Sequence, residues 1–234
     1  MLFDKFNNKS TITGVLTAID PIHIGSAGAE VLDPTQVDNS VLKDLNGLPV
    51  IPGSSIKGVV RSYFEAVMRS VGKNACDCMD SKNKCVTDND MKSFRGSEID
   101  KAQQAYDQSC DVCKLFGGTA LASKLQFKDS TYIGNVCVYE HRDGVGIERE
   151  TGAAKRGAKY DFEIVPKGSK FTFTLIAENL DDEQKKYLDF ILKTLENGEL
   201  SVGGKTTRGL GRIQLSGVNR DDVDVSKLKE MLRL

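Results

Sequence analysis

The run KFTFTLIAENLDDEQKKYLDFILKTLENG, residues 170–198, changes its hydrophobic period once, and the change separates two elements. Residues 170–178 alternate Phe171, Phe173, Leu175 and Ala177 with polar neighbours, the period-two pattern of a strand with one buried face. Asp181 then caps a helix that turns Leu188, Ile191, Leu192 and Leu195 inward and stops at Gly198. Working outward, KYDFEIVP (159–166) reads as the strand before this pair, and Leu210–Leu215 as the last strand. Toward the N-terminus, STITGVLTAID (10–20) is a first strand ending at Asp20-Pro21, followed by a glycine turn, His23-Ile24-Gly25-Ser26. Residues 54–70 set Ile56, Val59, Val60, Phe64, Val67 and Met68 at helical spacing behind Ser54 or Ser55 as N-cap. KLQFKD (124–129) and NVCVYEH (135–141) read as strands, a charged, glycine-punctuated excursion fills 142–160, and 219–234 reads as a short terminal helix.

With the insertions set aside, the order is strand, helix, strand, strand, helix, strand. That order predicts an α+β chain, a ferredoxin-like or RNA-recognition-motif (RRM-like) antiparallel sheet with both helices on one face, in a single domain spanning 1–234. The 234 residues carry 32 basic and 33 acidic side chains, a net charge of -1, so any polyanion binding must come from local clustering. No apolar run approaches the roughly 18 residues of a membrane span, and MLFDKFNNKS lacks the pattern of a signal peptide, so a cytoplasmic protein without membrane contact is expected. With no Trp and scattered Phe and Tyr, backbone contacts are expected over a base-stacking platform.

Cysteines stand at 76, 78, 85, 110, 113 and 137, five of them within 76–113. Clustering of this kind in a cytoplasmic chain argues for thiolate ligation of a structural zinc ion, against reduced surface thiols or a redox pair. Cys110 and Cys113 supply two ligands; Cys85 and either Cys76 or Cys78 supply the others, and Cys137 belongs to the core. The residues between, 79–109, hold too few large apolar side chains to fold alone, which a bound metal repairs.

Three segments suit phosphate. GGKTTRGLGR (203–212) combines four glycines with Lys205, Arg208 and Arg212 and contains no acid. A nucleoside-triphosphate P-loop fails on spacing, because Glu199 stands where that motif needs glycine. IPGSSIKGVVR (51–61) sets Ser54, Ser55, Lys57 and Arg61 at a helix start, and 142–159 holds Arg142, Arg149, Lys155, Arg156 and Lys159 among four glycines. There is no H-E-x-x-H, no defensible Ser/His/Asp set with only His23 and His141, and no paired-carboxylate cluster of the two-metal kind. By itself Asp38 is an acid in a polar loop, in company with Glu30, Asp33 and Asp44.

HIGS (23–26), VDNSVLKD (37–44), LPVIPGSSIKGVVRS (48–62), KLFGG (114–118), GVGIERETGAAKRGAKYDFEIVPKG (144–168) and GGKTTRGLGRI (203–213) together resemble the RAMP superfamily, and within it the backbone subunit of type III CRISPR effector complexes. The resemblance covers nearly the whole chain, in order. It implies an RRM-like subunit that stacks with copies of itself and with other effector subunits along a guide CRISPR RNA, gripped by its backbone while base pairing selects the target RNA. It assigns Ser54, Ser55, Lys57, Arg61, Lys205, Thr206 and Arg208 to the guide backbone and His23 to an RNA-contacting turn. Residues 138–162 resemble the family's thumb hairpin, with Ile147 as wedge and Arg149 on phosphate. Asp38 matches the aspartate responsible for target cleavage, as holder of Mg2+ or another divalent cation or as acceptor of the 2′-OH proton. The insertion 72–113 resembles the lid of the zinc-bearing members, which makes Cys76, Cys78, Cys85, Cys110 and Cys113 the metal candidates.

Overall fold

The computed structural model describes residues 3–25 and 39–233. In chain order the elements are β1 (Asn8–Ala18), β2 (Val50–Ile51), α1 (Gly53–Ser70), α2 (Asp88–Ser93), α3 (Glu98–Gln108), α4 (Asp111–Phe116), β3 (Leu125–Phe127), β4 (Ser130–Thr131), β5 (Glu140–Ile147), β6 (Ala154–Ile164), β7 (Lys170–Glu178), α5 (Asp182–Glu196), β8 (Leu200–Ser201), β9 (Arg212–Asp224) and α6 (Val225–Leu232). The main sheet is antiparallel, in the order β3-β7-β1-β9-β8. The chain is therefore a mixed α/β protein. Alternation along β1 and β7 sends Ile12, Leu16, Phe171, Phe173 and Leu175 to one face, where Ile56, Val60, Phe64 and Met68 of α1 and Leu188, Ile191 and Leu195 of α5 complete a single core. Each such side chain contributes about 1.5–3 kcal/mol by leaving water. Phe64 joins the two helices, its ring 5.3 Å from Tyr187 and 6.3 Å from Phe190.

Several boundaries differ from the sequence expectation. Neither Ser54 nor Ser55 caps α1; Pro52 is the N-cap, without a side-chain bond. The anion at this helix start belongs to the chain itself, because Gly53 N–H donates to Asp129 Oδ1 at 2.8 Å. Gly53 also abuts β3: a Cβ there would lie 2.2 Å from the Phe127 carbonyl oxygen. Residues 135–139 are not a strand; regular pairing begins at Glu140, and the excursion 142–160 becomes the hairpin β5–β6, a two-stranded sheet among the described residues. The last strand runs on to Asp224, well past Leu215, and leaves only 225–232 helical.

The segment between α1 and β3 is a lid of three short helices, α2, α3 and α4. Capping boxes start α2 at Thr87 and α3 at Ser97. Lys124, 3% exposed, pins the lid to the core. Its Nζ donates to Gln184 Oε1 (2.7 Å), the Asn179 carbonyl (2.9 Å) and the α3 hydroxyl of Tyr106 (3.2 Å). Lys124→Met, which removes three hydrogen bonds from this buried junction, is expected to lower stability by about 2–4 kcal/mol in urea denaturation; no change would mean that the lid does not depend on this junction.

Candidate nucleic-acid interface

The turn at His23 and the loop 203–211 are built against each other. Ile22 exchanges backbone bonds with Val165, and Gly211 N–H donates to the Pro21 carbonyl at 2.8 Å. The His23 carbonyl accepts from Gly204 N–H at 2.8 Å. Gly203 has φ +84°, and a Cβ there would lie 2.3 Å from that same carbonyl oxygen, so two separate requirements exclude a side chain. Lys205 follows in the left-handed region at φ 58°, and a short 3-10 turn, Thr206–Arg208, presents the rest of the loop.

Two aromatic side chains of β6 organise the charges above them. Lys205 Nζ sits 4.5 Å from the centroid of Phe162, and Arg208 bonds to the Tyr160 hydroxyl with its guanidinium 6.0 Å from that ring. His23 meets Phe162 edge-on at 5.5 Å. The histidine is buried, and its Nδ1 donates to the Glu163 carbonyl at 2.7 Å, which fixes Nδ1 as the protonated nitrogen. Burial holds its pKa below the usual imidazole value, so the ring is neutral near pH 7 and Nε2 is an acceptor. Tyr160 and Phe162 escaped sequence reasoning as site residues; their signal was the alternation in KYDFEI beside a charged excursion.

The same strand anchors the chain that follows Asp38. Asp38, with residues 26–37, lies outside the described residues. Its neighbour Asn39 accepts from Glu163 N–H at 3.0 Å and donates through Nδ2 to the Asp161 carbonyl at 3.2 Å. The buried Glu163 carboxylate takes Val41 N–H at 3.0 Å and Lys43 Nζ at 2.9 Å, and Lys43 rests 4.1 Å above the Tyr139 ring.

Helix α1 places its residues elsewhere. Ser54 and Lys57 line a groove of about 500 Å³ with Lys124, Gln126 and Phe127. At Lys57 this meets a second groove of about 450 Å³, walled by Arg61, Cys78, Met79, Gly117 and Thr119. Loop 203–211 lines neither groove. Burial, and then the charge of Arg61, lower the Lys57 pKa. Arg61 is turned inward: Nε donates to Glu65 (2.8 Å), Nη1 to the Gly117 carbonyl (2.9 Å), and Nη2 lies 3.6 Å from Cys113 Sγ. Ser55 is half-buried. Arg149 stands exposed at the end of β5–β6, beyond Val145 and Ile147, which are 48% and 57% exposed.

The lid gathers Cys76, Cys85, Cys110 and Cys113, with all four sulphurs within 4.8 Å of one another. Cys78 stands outside this set, and Cys137 is half-buried against the core. Four sulphurs at such spacing, three on buried cysteines and one on the half-buried Cys85, suit one tetrahedral ion. Cys110 N–H donates to Cys85 Sγ at 3.2 Å, the kind of bond that a thiolate ligand accepts. Hydrogen bonding from Cys113 lowers the Cys110 pKa, whereas burial raises that of Cys85.

The sequence profile of the RAMP superfamily matches residues 15–214, which takes in the His23 turn, α1, the lid, the hairpin and the 203–211 loop. The chain belongs to the RAMP superfamily. Curated relatives point the same way. The "CRISPR system Cms endoribonuclease Csm3" of Methanothermobacter thermautotrophicus is 28% identical over 92% of this chain and 86% of its own length. The proteins of that name from Methanocaldococcus jannaschii and Enterococcus italicus are each 27% identical, over 90% and 88% of this chain and 79% and 89% of their own. Among the described residues of this RAMP protein, no helix is long and apolar enough to cross a membrane.

Proposed function

We propose that this protein is a backbone subunit of a type III CRISPR effector complex, which binds guide RNA and cuts the paired target RNA at regular intervals, in the cytoplasm and alongside copies of itself and other effector subunits. The observation that carries the reading is the convergence of the His23 turn, the 203–211 loop and the root of β5–β6 beside Asn39, in a chain whose relatives are named Csm3 endoribonucleases. Lys205, Thr206 and Arg208 take guide phosphates, with neutral His23 beneath them; Ser54, Ser55 and Lys57 extend the path along α1. The strand order β3-β7-β1-β9, with α1 and α5 sharing one core, supports an RRM-like, ferredoxin-like centre. The hairpin serves as the thumb, with Val145 and Ile147 as apolar wedge and Arg149 on phosphate.

Cleavage is assigned to Asp38. A bent target backbone would bring a 2′-OH into line with the adjacent phosphorus; as the O2′–P bond forms and the P–O5′ bond breaks, the aspartate would take the 2′-OH proton or hold a divalent cation, and the departing 5′ oxygen would take a proton from water, leaving a 2′,3′-cyclic phosphate and a 5′-hydroxyl. A bound Mg2+ supplies charge neutralisation at the phosphate. In the lid, Cys76, Cys85, Cys110 and Cys113 hold a structural zinc ion, remote from this chemistry.

Lys205→Ala with Arg208→Ala is expected to weaken guide binding alike for all sequences and to reduce the salt slope by about two units. A loss confined to particular sequences, or an unchanged slope, would remove the loop from the phosphate path. Sizing the chain with guides of increasing length tests the assembly: oligomers should grow in steps with guide length, whereas a monomer at every length would favour a stand-alone RNA-processing protein.

A further inference from the structure

Helix α1 carries a charged row, Arg61, Glu65 and Arg69, spaced one turn apart on the side that meets the lid. Glu65 links the row, 2.8 Å from Arg61 and 3.6 Å from Arg69. Each arginine ends on one of the two segments that bring the cysteines together. Arg69 Nε donates to the Ala75 carbonyl at 3.0 Å, directly before Cys76. Arg61 reaches the other segment twice, at Cys113 Sγ (3.6 Å) and at the Gly117 carbonyl (2.9 Å). Gly117 in turn donates its N–H to the Cys113 carbonyl at 3.0 Å, so the guanidinium grips both the sulphur and the turn that holds it. The Arg61 side chain is only 17% exposed, and each of its three nitrogens already has a partner within the protein.

We infer that Arg61 is a positioning residue of the cysteine centre, not a ligand of RNA, and that the row Arg61–Glu65–Arg69 couples metal binding in the lid to the helix that presents Lys57. This rests on the zinc reading proposed above. Four thiolates around a dication leave an excess of negative charge, and a planar fork beside one sulphur offsets it while fixing that ligand's direction. Lysine is no equivalent, because it offers one nitrogen in place of a planar fork that meets the sulphur and the carbonyl from separate atoms.

The test uses the full chain in four forms: parent, Arg61→Gln, Arg61→Lys and Lys57→Ala. Zinc affinity by chelator competition should fall about 10–100-fold in Arg61→Gln and stay at the parent level in Lys57→Ala. With cobalt in place of zinc, the sulphur-to-metal charge-transfer band should shift in both Arg61 variants. The salt slope of guide-RNA binding should drop by about one unit in Lys57→Ala and not in the Arg61 variants. Should Arg61→Gln fail to fold, Arg61→Lys, which keeps the charge, is judged by the same band. Unaltered zinc affinity and cobalt spectrum in a metal-bearing Arg61 variant would overturn the inference alone, as would a slope reduced as in Lys57→Ala. A parent chain that holds no metal would overturn the zinc reading and the inference with it.

Discussion

Replacing Asp38 with alanine in the assembled complex is expected to leave target-RNA binding within about twofold of the parent while scission falls by about 100-fold or more. The chain next to it is fixed by main-chain contacts, Asn39 to β6 and Val41 to Glu163, so the substitution removes a carboxylate without releasing the segment's anchor. The neighbouring described acids are engaged. Asp44 Oδ1 accepts from Asn46 N–H (2.8 Å) and Leu48 N–H (2.9 Å) to close its own turn, and Glu163 is held by Lys43 and Val41. Asp38→Asn, which keeps the size and loses the charge, should be as inactive as the alanine variant. Glu30→Ala and Asp33→Ala should keep cutting. Scission measured with and without magnesium then separates cation holding from proton transfer, and regular cutting retained by Asp38→Ala would end the catalytic assignment in favour of an inert guide-binding subunit.

Changing Cys110 and Cys113 together to serine should lower bound zinc and melting temperature in step. Metal binding is worth on the order of 10 kcal/mol in small zinc modules, and this lid has little else. Apart from the sulphurs and α4, its own apolar cluster consists of Val86, Phe94 and Ala105. The main core draws chiefly on β1, β7, β9, α1 and α5, and the lid joins it through Cys76, Cys110, Cys113, Leu115 and Phe116. Loss of the ion should therefore unfold the lid first, read as protease cleavage between residues 79 and 109, before the sheet melts. Unchanged metal content in the double variant would end the zinc proposal.

The helices were legible because their apolar residues repeat on one face, at 56, 60, 64 and 68 in α1 and at 188, 191, 192 and 195 in α5. The strand expected over 135–141 was misread for a physical reason. Val136 and Val138 alternate as a strand would, yet both are 75% exposed, so the pattern has no buried face behind it. The end of β9 was hidden by the opposite effect. Arg220, Asp221 and Asp222 fall in the stretch read as a terminal helix, but they pair with β1, and Arg220 is neutralised by Asp189 and Asp222 at 2.9 Å each. The cysteine cluster was visible as spacing, whereas the choice of Cys76 over Cys78 depended on how the chain leaves α1. For the interface, the sequence offered Lys205 and Arg208 as candidate cations but not that they are oriented by Phe162 and Tyr160, a contact between residues more than forty positions apart.

The hairpin β5–β6 has a further consequence. Its root is fastened by Phe162, Ile164 and Leu210, but toward its tip it is a lone pair of strands with Val145 and Ile147 facing solvent. Two strands without a third layer are barely stable in water. Its amide hydrogens between 145 and 154 should thus trade with deuterium quickly in the free chain and slowly once the ribbon lies against a nucleic-acid duplex, which makes the tip a gauge of assembly that needs no label.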